Sequence, residues 1–122
     1  MSGKCYTMRA DKQYTLDEVC TRFKKKIDER LGSELIADQS RSLGTSQLRL
    51  LTFECLYFRT GSYASLCVLL TENEREQTAD IVGFGGGEGV WNISWGANQD
   101  FAKNAVKILG ELGFTVLNNS KN

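Results

Sequence analysis

The chain contains neither histidine nor proline among its 122 residues. The first absence removes Ser–His–Asp and Cys–His catalysis, histidine-ligated zinc and the common non-haem iron sites. The second leaves no proline to mark a linker or a cis turn. Net charge is missing too. Fifteen Lys and Arg residues balance fifteen Asp and Glu, which leaves no electrostatic footprint for nucleic acid or an anionic membrane. No apolar run reaches the roughly 18 residues of a membrane-spanning helix. The opening stretch MSGKCYTMRADK lacks the apolar segment of a signal peptide, so a cytoplasmic protein is expected. Cys5, Cys20, Cys55 and Cys67 are widely spaced, with no CxxC pair. That is the pattern of free thiols rather than of a disulfide framework.

What is present reads as one α+β domain over residues 1–122, with flexible tails at about 1–3 and 118–122. Hydrophobic residues at 41% and charged residues at 25% are globular proportions, so a packed core is expected rather than disorder. KCYTMR, residues 4–9, alternates as a first strand. In TLDEVCTRFKKKIDERLG, Thr15 and Glu18 form a capping-box pattern. Leu16, Val19, Cys20, Phe23, Ile27 and Leu31 then follow at helical spacing, and Gly32 stands where a C-terminal cap belongs. Lys24 and Lys25 can pair with Asp28 and Glu29 along this helix, so the lysine run reads as a solvated face.

From residue 34 the period changes to two. ELIADQSR, QLRLLTFECLYFR, ASLCVLLTE and TADIVGF read as successive strands, separated by GTS, TGSY and NEREQ. VWNISW, with Trp91, Ile93 and Trp95 at period two, reads as a sixth strand. ANQDFAKNAVKILGELGF reads as a second helix capped by Asn98, with Phe101, Ala105, Ile108 and Leu112 on its buried stripe. TVLNNSKN reads as a short extension fraying into a polar tail.

GFGGGEG, residues 83–89, invites a phosphate-loop reading. The spacing refuses it. G-x-G-x-x-G fails in each frame, at Glu88 or at Val90, and no lysine follows as a P-loop needs. A strand rather than a helix is expected next, and Glu88 would repel a phosphate. The segment therefore reads as a turn, with a ligand or partner loop as the alternative.

FECLYFRTGSYASLCVLL and GFGGGEGVWNISWGANQDFAKNAVKIL, within residues 47–112, resemble a small family of uncharacterised bacterial proteins of the Firmicutes type. It is a domain of unknown function. The family has no assigned activity, so the resemblance implies neither a catalytic residue nor a cofactor.

The expected architecture is an antiparallel sheet of five to six strands with two helices on one face. Its order is β-α-β-β-β-β-β-α, a reduced helix-grip or TATA-binding-protein-like arrangement. Such helices cover one face only. Yet the central strand is apolar on both faces, with Leu48, Leu50, Leu56 and Phe58 on one and Leu51, Phe53, Cys55 and Tyr57 on the other. The expected function is a non-catalytic interaction module that dimerises through the open face. Its candidate contacts are Phe53, Tyr57, Gly85, Gly86, Gly87, Glu88, Trp91 and Trp95. A small apolar ligand between helix and sheet is the alternative. An enzyme using carboxylates is the third reading, with Glu54, Tyr57, Cys67, Asp80 and Glu88 as its candidate groups. Each of these also has a plain structural role, as rim charge, sheet aromatic or core filler. No metal, nucleic-acid or membrane partner is expected.

Overall fold

The structure is a computed structural model that describes residues 2–57, 62–85 and 91–121, with side chains outside 2–3, 56–57, 62, 91–100 and 118–121. Its elements are β1 (Ser2–Asp11), α1 (Leu16–Leu31), β2 (Glu34–Leu43), β3 (Ser46–Tyr57), β4 (Ser62–Glu72), β5 (Glu76–Gly85), α2 (Trp91–Glu111) and β6 (Thr115–Lys121). The strands form one six-stranded sheet in the order β2-β3-β4-β5-β1-β6. Every neighbouring pair is antiparallel. The protein is thus α+β, with an antiparallel sheet and two helices.

The element order differs from the expected one in its last two members. Trp91 to Trp95, read as a strand, opens α2, and Asn98 lies inside that helix rather than at its cap. A spacing of four satisfies both a strand's period and a helix's, so the two tryptophans alone do not separate them. The sixth strand comes after the helix, where TVLNNSK pairs with β1. The topology explains why. α1 carries the chain from β1 to the far edge, the β2–β3–β4–β5 meander returns to β1, and α2 crosses so that β6 can take the remaining edge. Ladder pairing reaches Ser2 at one terminus and Lys121 at the other.

Local signals set the first helix. Thr15 Oγ1 accepts from the Glu18 backbone N–H at 3.1 Å, and a Glu18 carboxylate oxygen accepts from the Thr15 N–H at 3.0 Å. At the other end Gly32 takes φ 60° and donates to the Asp28 carbonyl, a left-handed cap that costs a glycine little. Gly44, also at φ 60°, opens a two-residue turn between β2 and β3 in the glycine-first pattern of a type II′ hairpin.

Both helices cover the same face of the sheet. On that face lie Leu51, Phe53 and Cys55 of β3, Leu66, Val68 and Leu70 of β4, Ala79 and Ile81 of β5, and Tyr6 and Met8 of β1, all buried. The helices answer with Phe23, Ile27, Phe101, Ile108 and Leu112, the expected stripe residues, none more than 4% exposed. Phe23 meets Phe53 edge to face, with ring centroids 5.7 Å apart. Gln77 is a buried polar side chain in this core. Its amide donates to the Tyr14 carbonyl and to Glu72, each at 2.7 Å, so it is satisfied.

β2 contributes little to the core and is held by charge. Arg49 of β3 grips both carboxylate oxygens of Asp38 at 2.8–3.0 Å and reaches Asp17 of α1 at 2.8 Å. Lys24 of α1 joins Asp38 at 2.6 Å. The lysine therefore pairs across to β2 instead of along its own helix with Asp28. Burial pushes the Asp38 carboxyl up, but the bonds from Lys24 and Arg49 outweigh it and hold the group below its ordinary pKa. Between the helices, Arg30 makes two bonds to Glu111 at 2.8 and 2.7 Å.

Two outcomes follow for stability. Phe23→Ala should cost about 3–5 kcal/mol in denaturant unfolding, the range for a fully buried phenylalanine; a loss below about 1 kcal/mol would mean α1 does not rest on Phe53. Asp38 should matter to acid unfolding. Its folded pKa is depressed, so its contribution is complete above the unfolded value of about 3.9 and is lost as pH falls through the lower folded value. Asp38→Asn should flatten that part of the pH–stability curve, and an unchanged slope would remove Asp38 from the clamp.

Candidate functional site

Covering one face of the sheet turns the alternate residues of every strand outward. The register aligns these residues in rows across the strands. One row runs Gln39, Leu50, Leu69, Asp80, Thr7; the next runs Ala37, Thr52, Cys67, Val82, Cys5. Beyond them Glu34, Glu54, Ser65 and Phe84 form a third row, and Arg41, Leu48, Thr71, Thr78 and Arg9 form one at the opposite end. No described helix lies over this face.

The surface is apolar in its middle. Leu48, Leu50, Leu69 and Cys67 are half-buried by their neighbours. Val82 is 36%, Phe84 37% and Tyr63 49% exposed. Polar groups interrupt it at few places. Asp80 accepts a 3.0 Å bond from the Thr7 hydroxyl. Arg9 is held by Glu76 at 2.9 Å and Asp11 at 3.0 Å, and these bonds raise its pKa.

The expected contact residues are placed differently. Phe53 is in the core, 2% exposed beneath α1, and not on the open face. The reason is parity. β4 offers Ala64, Leu66, Val68 and Leu70 on one side and Tyr63, Ser65, Cys67, Leu69 and Thr71 on the other. The wholly apolar set goes under the helices, and Phe53, paired with Leu66, goes with it. Tyr57 ends β3, but its side chain lies outside those described. Gly85 ends β5 at φ 140° and pairs with Ser2 and Ala64. Gly86, Gly87 and Glu88 lie outside the described residues, and Trp91 and Trp95 are placed only as backbone of α2. Because a helix follows the glycine run, the exclusion of a phosphate loop rests on spacing and Glu88, not on a following strand.

Of the candidate catalytic groups, Glu54, Cys67 and Asp80 all stand on the open face. Glu54 and Asp80 are two strands and two rows apart, about 16 Å by sheet geometry. That exceeds the roughly 6.5–9.5 Å over which two carboxylates share a glycosidic substrate. Cys5 and Cys67 flank Val82 in one row, about 9.6 Å apart by strand spacing and beyond disulfide reach. All four cysteines carry free thiols. Cys20 lies on the buried face of α1, and burial pushes its thiol up to about 11 against the pull of nearby Arg49. The Cys55 thiol donates to the Leu31 carbonyl at 3.6 Å. Among the described residues no three Cys, Asp or Glu side chains gather as metal ligands, and no helix is long and apolar enough to cross a membrane. A polar hollow of about 360 Å³ lies at the surface, lined by Thr15, Asp17, Ser40, Gln47, Arg49 and Glu72. Its one arginine is already neutralised by Asp38 and Asp17.

The chain belongs to a family of unknown function, DUF6054, whose model matches residues 6–113. No curated protein matches it. The match begins in β1 and ends just beyond α2, so it spans both helices and the whole β2–β5 meander.

The placement of the thiols predicts their reactivity. In dilute folded protein at neutral pH, a soluble maleimide should modify Cys5 and Cys67 quickly, and Cys20 and Cys55 only after unfolding. Rapid labelling of Cys20 would contradict its burial between α1 and the sheet.

Proposed function

We propose that this protein is a non-catalytic interaction module that self-associates as a two-fold dimer through the open face of its sheet, in the cytoplasm. One observation carries the reading: Leu48, Leu50, Leu69, Val82 and Phe84 form a continuous apolar surface with no described element above it. Monomeric soluble proteins rarely leave a patch of this kind in water. Six strands at about 4.8 Å spacing and roughly eight residues of about 3.4 Å rise give a footprint near 800 Å². That is about one partner's share of a standard interface. Association costs several kcal/mol in lost freedom, and burial at about 25 cal/mol per Å² of apolar area is sufficient to offset it. A two-fold contact needs one self-complementary patch, which a sheet face supplies. The four free thiols support a reducing compartment. The space between helices and sheet is occupied by Phe23, Phe53, Phe101 and Ile108, which favours assembly over an internal apolar ligand.

Sedimentation at micromolar concentration should show twice the chain mass. Leu69→Asp should weaken association at least about a hundredfold while leaving the fold intact, because it places an unpaired carboxylate inside the contact. Asp80→Asn should tighten the dimer several-fold by removing a charge that must be desolvated. Maleimide labelling of Cys67 should slow as concentration rises. A clean monomer at about 100 µM, with Cys67 equally reactive throughout, would overturn the reading.

A further inference from the structure

The charges at the margin of the open face are arranged so that one copy supplies what another lacks. Glu34 and Glu54 are direct cross-strand partners on β2 and β3, both outward. Like charges in that position destabilise a sheet, and neither carboxylate has an ion pair among the described residues. Arg41 stands at the other end of β2 on the same face, opposite Leu48. Its guanidinium donates to the Ser40 carbonyl at 2.8 Å and, among the described residues, meets no carboxylate. Arg9, the other outward arginine of the sheet among the described residues, is already held by Asp11 and Glu76. The face therefore carries a paired negative charge at one end of its edge strand and an uncommitted arginine at the other, about 20 Å away by strand rise.

Resting on the dimer proposed above, we infer that its two-fold axis runs across the strands, between the rows of Leu50 and Thr52, so that Arg41 of each copy lies over Glu34 and Glu54 of the other. Rotation about that axis reverses strand direction but keeps each strand's place across the sheet. β2 then faces β2, and the Arg41 row faces the Glu34 row. An axis parallel to the strands would set β2 over β6 and bring Arg41 over Thr115, with nothing for the arginine to bind. The symmetric contact occurs twice, once at each end. Stacked sheets lie about 10 Å apart and cross at about 30°, a gap that an arginine side chain reaching toward two glutamates spans. Its planar fork suits two carboxylates better than an ammonium would. Between these ends Leu50 and Leu69 pack over Thr52 and Cys67. Asp80 keeps the Thr7 hydroxyl as its donor inside the contact.

The test uses full-length protein with exposed substitutions that leave the core untouched. Arg41→Glu should weaken the homodimer about tenfold or more, because it sets three carboxylates together at each end. Mixing it with Glu34→Arg should restore near-wild-type affinity in a heterodimer, since each end then again holds one arginine and two glutamates, as in the wild type. Native mass spectrometry of the mixture should show the heterodimer well above the statistical half. Raised salt should weaken the wild-type dimer and narrow its advantage over Arg41→Glu. A wild-type dimer that Leu69→Asp splits, but that shows no heterodimer preference and no loss with Arg41→Glu, would overturn this axis and leave the interaction face standing. A wild-type monomer would remove both.

Discussion

A strand presents alternate side chains to opposite faces, and in this molecule that constraint decides what is core and what is available for contact. Phe23 of α1 packs on Phe53 of β3. The ladder then carries the choice across the sheet, because Phe53 pairs with Leu66, and Leu66 with Gly83. A slip of one residue in β3 would bring Leu50, Thr52 and Glu54 under α1. Burying the Glu54 carboxylate there, with no partner, would cost several kcal/mol. The polar residues among the outward set therefore specify the register as firmly as the apolar ones in the core. They also leave Leu48, Leu50 and Leu69 facing outward, since the same alternation cannot bury both sets beneath two helices.

The parts of this arrangement that depend on neighbours in sequence were legible there. Thr15, Glu18 and Gly32 announce both ends of α1, and its apolar stripe identifies Phe23 and Ile27 as core. The strands of the meander follow from period-two text broken by turn residues, and the α+β class follows from their grouping. What depended on distant partners was not legible. QLRLLTFECLYF is apolar on both faces, so β3 alone cannot say whether Phe53 or Leu50 is covered; the contrast between the two faces of β4 does. Trp91 and Trp95 suit a strand or a helix equally. TVLNNSK carries almost no alternation, and it becomes a strand because β1 has a free edge to offer. Lys24 has a carboxylate one helical turn away, yet takes Asp38, which only the folding back of β2 brings within reach.

Zero net charge conceals a division of labour between the two sides of the sheet. On the helix side, Arg49, Lys24 and Asp38 fasten an edge strand that has almost no buried side chains, and Arg30 with Glu111 fastens helix to helix. Exposed pairs of this kind add only about 0–1 kcal/mol each. Arg49 is different in being largely covered, with its side chain 16% exposed, and bidentate, so its value lies in fixing where β2 sits as much as in energy. On the outward side Glu34, Glu54, Arg41 and Arg9 lie toward the ends of the rows, and Asp80 is the charge that stands among Leu50, Leu69 and Val82 near the centre.

The edges of the sheet offer a competing route to assembly, and their chemistry argues against it. β2 is exposed along most of its length, with Ile36 at 54% and Leu35 at 41%, and a bare edge can template another strand. Here a register shift between Leu35 and Ala37 breaks the ladder at those two apolar residues. Beyond it, Asp38 is held under the sheet, and Ser40, Arg41 and Ser42 present only polar chemistry. β6 is blunted in the same way, by a shift between Thr7 and Met8 on its partner strand and by the polar run from Asn118 to Lys121. Bulges and charges of this kind discourage continuous edge pairing, which would propagate without limit if one chain's β6 met the next chain's β2. The face carries no register shift through β3, β4 and β5, and its central charge, Asp80, already has the Thr7 hydroxyl as a donor. In the dimer proposed above, association through the face would close at two copies, hide the apolar rows and leave both blunted edges open to water.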